Sequence, residues 1–144
     1  MTSQLNVDTI VDKAGSGGTN VKVGNTSTYV SEGGAVTQNT VQGLVKSWIH
    51  FDGKGSEGIR DSFNVSGITD NGTGDYTTSF TNNLSNINFC ATGMCTFTAG
   101  ATPRYRIISG YVWATSSIRA ITGYSDVNAS DHAVVGINIA GDLA

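Results

Sequence analysis

The spacing of apolar positions changes near residue 46. Before that point large apolar side chains are sparse. Leu5, Val7 and Val11 fall on one parity with Thr9, and Val21 and Val23 repeat the pattern within 19–24. Alternation of this kind predicts half-buried strands. Gly15-Ser16-Gly17-Gly18 separates the two runs, and Gly33-Gly34 breaks the chain again. Residues 37–46 predict a short helical turn with Val36, Thr40, Gly43 and Leu44 along one side, although Gly43 and the valines lower its propensity.

Large residues then become frequent. Trp48, Phe51, Phe63, Tyr76, Phe80, Phe89, Phe97, Tyr105, Tyr111, Trp113 and Tyr124 all follow residue 46. Strands are predicted over 47–51, 59–68, 76–81, 86–91, 95–99, 105–114, 117–124 and 134–140. Asp70-Asn71-Gly72-Thr73-Gly74 joins two alternating runs and is a strong hairpin signal, and Asp52-Gly53-Lys54-Gly55 is a second turn. Short strands at this spacing, with almost no helical period, predict an all-β chain. Its main part, 47–144, reads as an antiparallel sandwich or jelly-roll-like domain, preceded by an extended β segment over 1–46. Phe63 shares its parity with Val65, as Tyr76 and Phe80 do with Thr78. Phe63, Tyr76 and Phe80 are therefore the expected core around the hairpin.

The first 46 residues cannot bury enough surface to fold alone. Ordering each residue costs about 1–2 kcal/mol, and one valine in four or five residues, at about 1.5–3 kcal/mol each, does not offset it. Either this segment is flexible or identical copies supply the missing partner.

Composition narrows the classes. Only 13% of the 144 residues are charged, and Ser, Thr, Asn and 19 Gly carry the polar load. Soluble domains average about 25% charged residues. The chain is thus unlike a charge-rich disordered tail. Net charge is −3, and the eight Lys and Arg are scattered, with Arg104 and Arg106 the densest group. A phosphate backbone needs several basic side chains on one surface, so nucleic acid is not an expected partner. No apolar run reaches membrane-spanning length, and MTSQLNVDT lacks the basic and apolar regions of a secretory signal.

The candidate chemistry is thin. Cys90 and Cys95 have an odd offset that places them on opposite faces of one continuous strand, whereas a tight turn at Gly93 would bring them together. Buried or partly buried free thiols are the favoured reading, and a zinc site lacks two further ligands. DNGTGD does not meet the calcium-loop pattern, and its Gly, Asn and Asp suit a turn. Asp52, Glu57 and Asp61 invite comparison with glycosidase carboxylates, but nothing marks a cleft. No G-x-S-x-G elbow occurs. His50 lies between Ile49 and Phe51 and faces away from both. His132 follows Asp131 in a turn. Tyr105, Tyr111, Trp113 and Tyr124, with Arg104 and Arg106, would make a sugar-binding platform or, since the first three share parity, a core-facing stripe. Trp113 and Tyr124 are the candidate receptor contacts. No catalytic residue, metal or cofactor is expected.

The tract SWIHFDGKGSEGIRDSFNVSGITDNGTGDYTTSF, with VQGLVKSW leading into it, resembles a module of marine bacteriophage tail-fibre and other virion structural proteins. The likeness is closest over 37–80, and SQLNVDTIVDKAGSG resembles the way such fibre segments begin. The resemblance implies a non-enzymatic virion protein, made in the host cytoplasm without a signal peptide. Residues 1–46 would form its stem or docking arm. Fibres of this kind share a thin apolar axis among three chains, so a homotrimer is implied. Its partners would be other tail or capsid proteins and, if it takes part in attachment, a host surface glycan. A carbohydrate-binding adhesion module and a capsid decoration protein are the alternatives.

Overall fold

A computed structural model describes residues 28–30, 37–40, 43–55, 58–97, 106–124 and 128–142. Every regular element among them is a β-strand, and none is a helix that could cross a membrane. The strands expected at 5–11 and 19–24 lie outside the described residues.

The chain divides into two units, Met1–Val41 and Gln42–Ala144. In the first, β1 (Thr28–Val30) pairs antiparallel with β2 (Thr37–Asn39), with Thr28 opposite Asn39 and Val30 opposite Thr37. The helical turn expected over 37–46 is therefore corrected. Residues 37–39 are a strand, and Val45 and Lys46 already belong to β3 (Val45–Phe51). Threonines and valines lose side-chain freedom in a helix and favour strands, and Gly43 adds its own helix penalty.

The second unit is an antiparallel β-sandwich. One sheet has the order β4 (Ile59–Phe63), β3, β10 (Val134–Ala140), β7 (Cys90–Thr96). The other has the order β5 (Val65–Gly72), β6 (Asp75–Phe80), β9 (Ser117–Tyr124), β8 (Arg106–Ala114). Alternation along the central strands decides what is buried. Ile49 and Phe51 of β3, Val135, Ile137 and Ile139 of β10, Tyr76 and Phe80 of β6, and Ile118 and Ala120 of β9 form the core with Leu84 and Phe89. Aromatic edges interlock across it: Phe51 meets Tyr76 at 5.0 Å between centroids, and Phe80 meets Phe89 at 6.1 Å.

The expected strand over 59–68 is broken at Asn64, whose φ of 56° is left-handed. Asparagine tolerates this region because its short polar side chain bonds locally. The Asn64 amide donates to Lys46 O (3.0 Å) and Asn82 O (3.1 Å), and its carbonyl accepts from Asn82 N (2.7 Å). The chain turns there from one sheet to the other. Parity does not carry across such a corner, so Phe63 does not share the inward face of the second sheet. It is 54% exposed, and its place in the expected core is corrected. Tyr76, at 2% exposure, and Phe80 lie in the core.

At the other hairpin the turn chemistry is local. Gly72 and Gly74 have φ of 133° and 68°, and Asp70 Oδ1 accepts from Gly72 N at 2.8 Å. A Cβ at Gly74 would also collide with Thr122 O. The strands expected at 86–91 and 95–99 are one strand, β7, running straight through Gly93. A Cβ there would meet Gly136 O at 2.9 Å and Ile108 Cγ2 at 3.0 Å, so this glycine permits a close approach rather than a turn.

Candidate functional site

The two outer faces of the sandwich differ in chemistry. On the second sheet the outward residues of β6 and β9 alternate with the core and are mostly polar. Arg119 clamps Asp75 with two bonds, Nε to Oδ1 at 2.9 Å and Nη2 to Oδ2 at 2.8 Å. The Tyr111 hydroxyl donates to Asp75 Oδ2 at 2.8 Å, and the Asn71 amide donates to Thr77 Oγ1 at 2.9 Å. The bonds from Arg119 hold the Asp75 carboxyl below its usual range. The polar groups of β6 and β9 satisfy one another, while β8 leaves Ile107 and Val112 exposed on the same face.

On the first sheet, strand register places four residues in each of two rows. Phe63, Trp48, Asn138 and Thr92 lie side by side across β4, β3, β10 and β7. Asp61, His50, Gly136 and Met94 form the next row. All point away from the core, because Ile49, Phe51, Val135 and Ile137 take the alternate positions. Phe63 and Met94, the latter 72% exposed, are left to solvent. Scattered surface hydrophobes are ordinary, but neighbours on one flat face form a patch.

A hollow of about 390 Å³ opens on this face. Trp48 and His50 line one side, Thr92 and Met94 the other, and Gly136 and Asn138 the floor. Gly136 lies on the central strand β10, and its missing side chain deepens the hollow. At the rim, Arg60 Nη2 pairs with Asp52 Oδ2 at 2.8 Å, and its Nη1 lies 3.4 Å from His50 Nε2. With Nε2 accepting, the His50 Nδ1–H is the free donor. Asp61 Oδ1 accepts from Ser62 N at 2.8 Å.

The candidate receptor contacts lie elsewhere. Trp113 is opposite Ile118 and therefore faces the core, packing on Phe89 with centroids 4.9 Å apart, and is 36% exposed. A bulge between Gly110 and Val112 explains this: Tyr111 is the extra residue, so the parity it was expected to share with Trp113 is broken. Tyr124 is half-buried between the Arg106 guanidinium, 4.1 Å above its ring, and His132, at 6.0 Å. The two do not form one platform, and Arg104 and Tyr105 lie outside the described residues. So does Glu57, while Asp52 is committed to its ion pair and to Lys54 N. Both cysteines are free thiols, but the expected burial is corrected at Cys90, which is exposed because its register places it on the outer face, while Cys95 faces inward on the same strand. Burial pushes the Cys95 thiol up, and its Sγ donates to Ile107 O at 3.2 Å.

A second polar group closes one end of the sandwich. The Tyr76 hydroxyl shares its hydrogen between Gly53 O (2.6 Å) and Asp131 Oδ1 (2.8 Å), and Asp131 Oδ1 also accepts from Gly74 N at 2.6 Å. Beside them His132 is fully buried, its Nδ1 2.7 Å from Ser130 O. These bonds tie three loops together, mainly through backbone atoms. No cluster of three His, Cys, Asp or Glu side chains suited to a metal occurs among the described residues.

The hollow was not foreseen because it draws on three strands distant in sequence. One signal was available: in Trp48-Ile49-His50-Phe51 both parities carry large side chains, so one strand face had to expose them. No family model, curated protein or solved structure matches the chain.

Proposed function

We propose that this chain is a non-enzymatic bacteriophage virion protein, a short fibre-like trimer on the tail or head. The first unit, residues 1–41 rather than the 1–46 expected from sequence, forms its trimeric stem or docking arm, and the sandwich presents the outer face of its first sheet to a partner. The observation that carries this reading is the row of aromatic and apolar side chains beside a hollow on the outer face of the first sheet. Phe63 and Met94 are left to solvent around Trp48 and the hollow, whereas the exposed Ile107 and Val112 of the other face lie on β8, beside the Asp75–Arg119 pair and with no such hollow among the described residues. An apolar patch of this kind marks an interaction surface. The virion context comes from the resemblance over 37–80, and the trimer from an N-terminal apolar pattern too sparse for one chain. A carbohydrate-binding adhesion module is the second reading, favoured by the polar groups around the hollow.

Two measurements test the proposal. The full chain should sediment as a trimer at micromolar concentration, and a monomer there would contradict the stem. An antibody to the chain should decorate purified virions in electron micrographs. Label confined to the unassembled fraction of the lysate would contradict a virion role.

A further inference from the structure

The hollow over β10 combines one indole with several small polar groups, and none of its described lining residues is an Asp, Glu, Lys or Arg. Trp48 supplies an apolar aromatic surface. The Asn138 amide and Thr92 hydroxyl are not used by any hydrogen bond among the described residues, and His50 has a free Nδ1–H. Asn138 and Thr92 are neighbours in one register row, and His50 and Met94 flank Gly136 in the next. Its floor is a central strand whose backbone groups are already paired on both sides. A peptide adding to a sheet needs a free edge, which this place does not offer. What binds here must be read by side chains.

The charges point to a neutral occupant. Among the described residues the cation at the rim is Arg60, which is held by Asp52, and the carboxylate of Asp61 stands beside His50. An anionic ligand would meet that carboxylate without a free cation to offset it. A pyranose ring meets the remaining demands. Its C–H face covers an indole, while its hydroxyls both donate and accept, matching an amide, a hydroxyl and an imidazole N–H. The volume, about 390 Å³, lies near the lower end of the roughly 300–1,000 Å³ usual for small-ligand sites.

Gly136 gives an independent sign. A Cβ there would meet only Met94 Cγ at 3.7 Å and Ile49 O at 4.0 Å, both ordinary contacts. The fold does not require glycine at this position, and a central strand normally favours a β-branched residue. The glycine's effect is to keep the hollow open.

We infer that the hollow formed by Trp48, His50, Asn138, Thr92, Met94 and Gly136 is a binding site for one ring of a neutral glycan. This rests on the reading of the sandwich face as a recognition surface and names its partner class. The chain has two tryptophans, so the indole N–H resonances of the full chain number two, and Trp113→Phe assigns them. Glucose, galactose, mannose and N-acetylglucosamine are titrated separately to about 50 mM, above the roughly millimolar Kd suited to a single ring. N-Acetylneuraminic acid is the acidic comparison.

At least one neutral sugar should shift the Trp48 indole signal and leave that of Trp113 in place. Gly136→Val should fold with an unchanged melting curve and lose the shift. If Gly136→Val fails to fold, Thr92→Val and Asn138→Ala, both on exposed positions, take its place and should each weaken binding several-fold. No Trp48 shift with any neutral sugar would overturn the inference, as would a shift that survives in a folded Gly136→Val or is seen only with the acidic sugar. Such a result in a chain that still sediments as a trimer and labels virions would remove the glycan and keep the virion reading.

Discussion

His132 is buried with one ring nitrogen engaged and the other bare. Its Nδ1–H donates to Ser130 O, and Nε2 has no hydrogen-bond partner among the described residues. Protonating Nε2 would place a charge and an unmet donor in the interior. Burial accordingly holds its pKa below the usual 6.5, with Arg106 adding to the effect and the Ser130 carbonyl and Asp131 opposing it. The unfolded chain takes up the proton first, so stability is complete above pH 6.5 and is lost as pH falls towards and through the folded value. Denaturant midpoints should fall between pH 7.5 and 5, at roughly these values, and His132→Phe should flatten that interval. The Asp75 carboxyl acts in a separate window, since its share is present above 3.8 and lost only below it. Phe63 gives a second expectation at this scale. It was legible as a large residue in a strand but not as an outward one, because Asn64 turns the backbone immediately after it. Phe63→Ala should cost under about 1 kcal/mol, as exposed substitutions do. Phe51→Ala, at a fully buried ring, should cost about 3–5 kcal/mol. Equal shifts in thermal unfolding for the two variants would contradict this assignment of faces.

Most strands were legible because alternation is strict where one face is buried, as along β6 and β9. The misreadings arose at irregularities that parity cannot register. The bulge at Tyr111 re-aims Trp113 inward, so the expected pairing of Trp113 and Tyr124 as receptor contacts does not form one surface. Trp113→Ala should therefore lower stability by about 2–4 kcal/mol, less than a wholly buried aromatic, and circular dichroism melts will measure it. Gly93 reads as a turn residue in sequence, yet it lies within β7, where strands approach too closely for a side chain. Gly74 is the opposite case, a turn glycine correctly signalled by its neighbours. Gly74→Ala should cost at least about 2 kcal/mol, because a left-handed conformation and a collision with Thr122 O add together. A melting temperature unchanged by this variant would contradict the hairpin geometry.

For the whole molecule, composition and turn spacing were enough to predict an antiparallel sandwich. They could not locate the site, since register alone brings Trp48, Asn138 and Thr92 into one row. The sandwich closes on itself, with its first strand, β3, paired to its last, β10, at the centre of one sheet. Deleting residues 1–34 should thus leave the sandwich folded while reducing the proposed trimer to monomers in sedimentation. Loss of the folded signal would contradict the division into two units. The proposed virion role turns on the outer face of β4–β3–β10–β7 being the surface through which the chain makes contact. Purified particles carrying the double variant Trp48→Ser and Phe63→Ser test it directly, with Thr69→Lys on the opposite face as the control. The double variant should fold, yet incorporation into particles or adsorption to host cells should fall by about tenfold or more, as expected when central aromatic contacts are lost. Thr69→Lys should change neither. Particles that incorporate and adsorb the folded double variant as well as the unmodified chain would contradict the account.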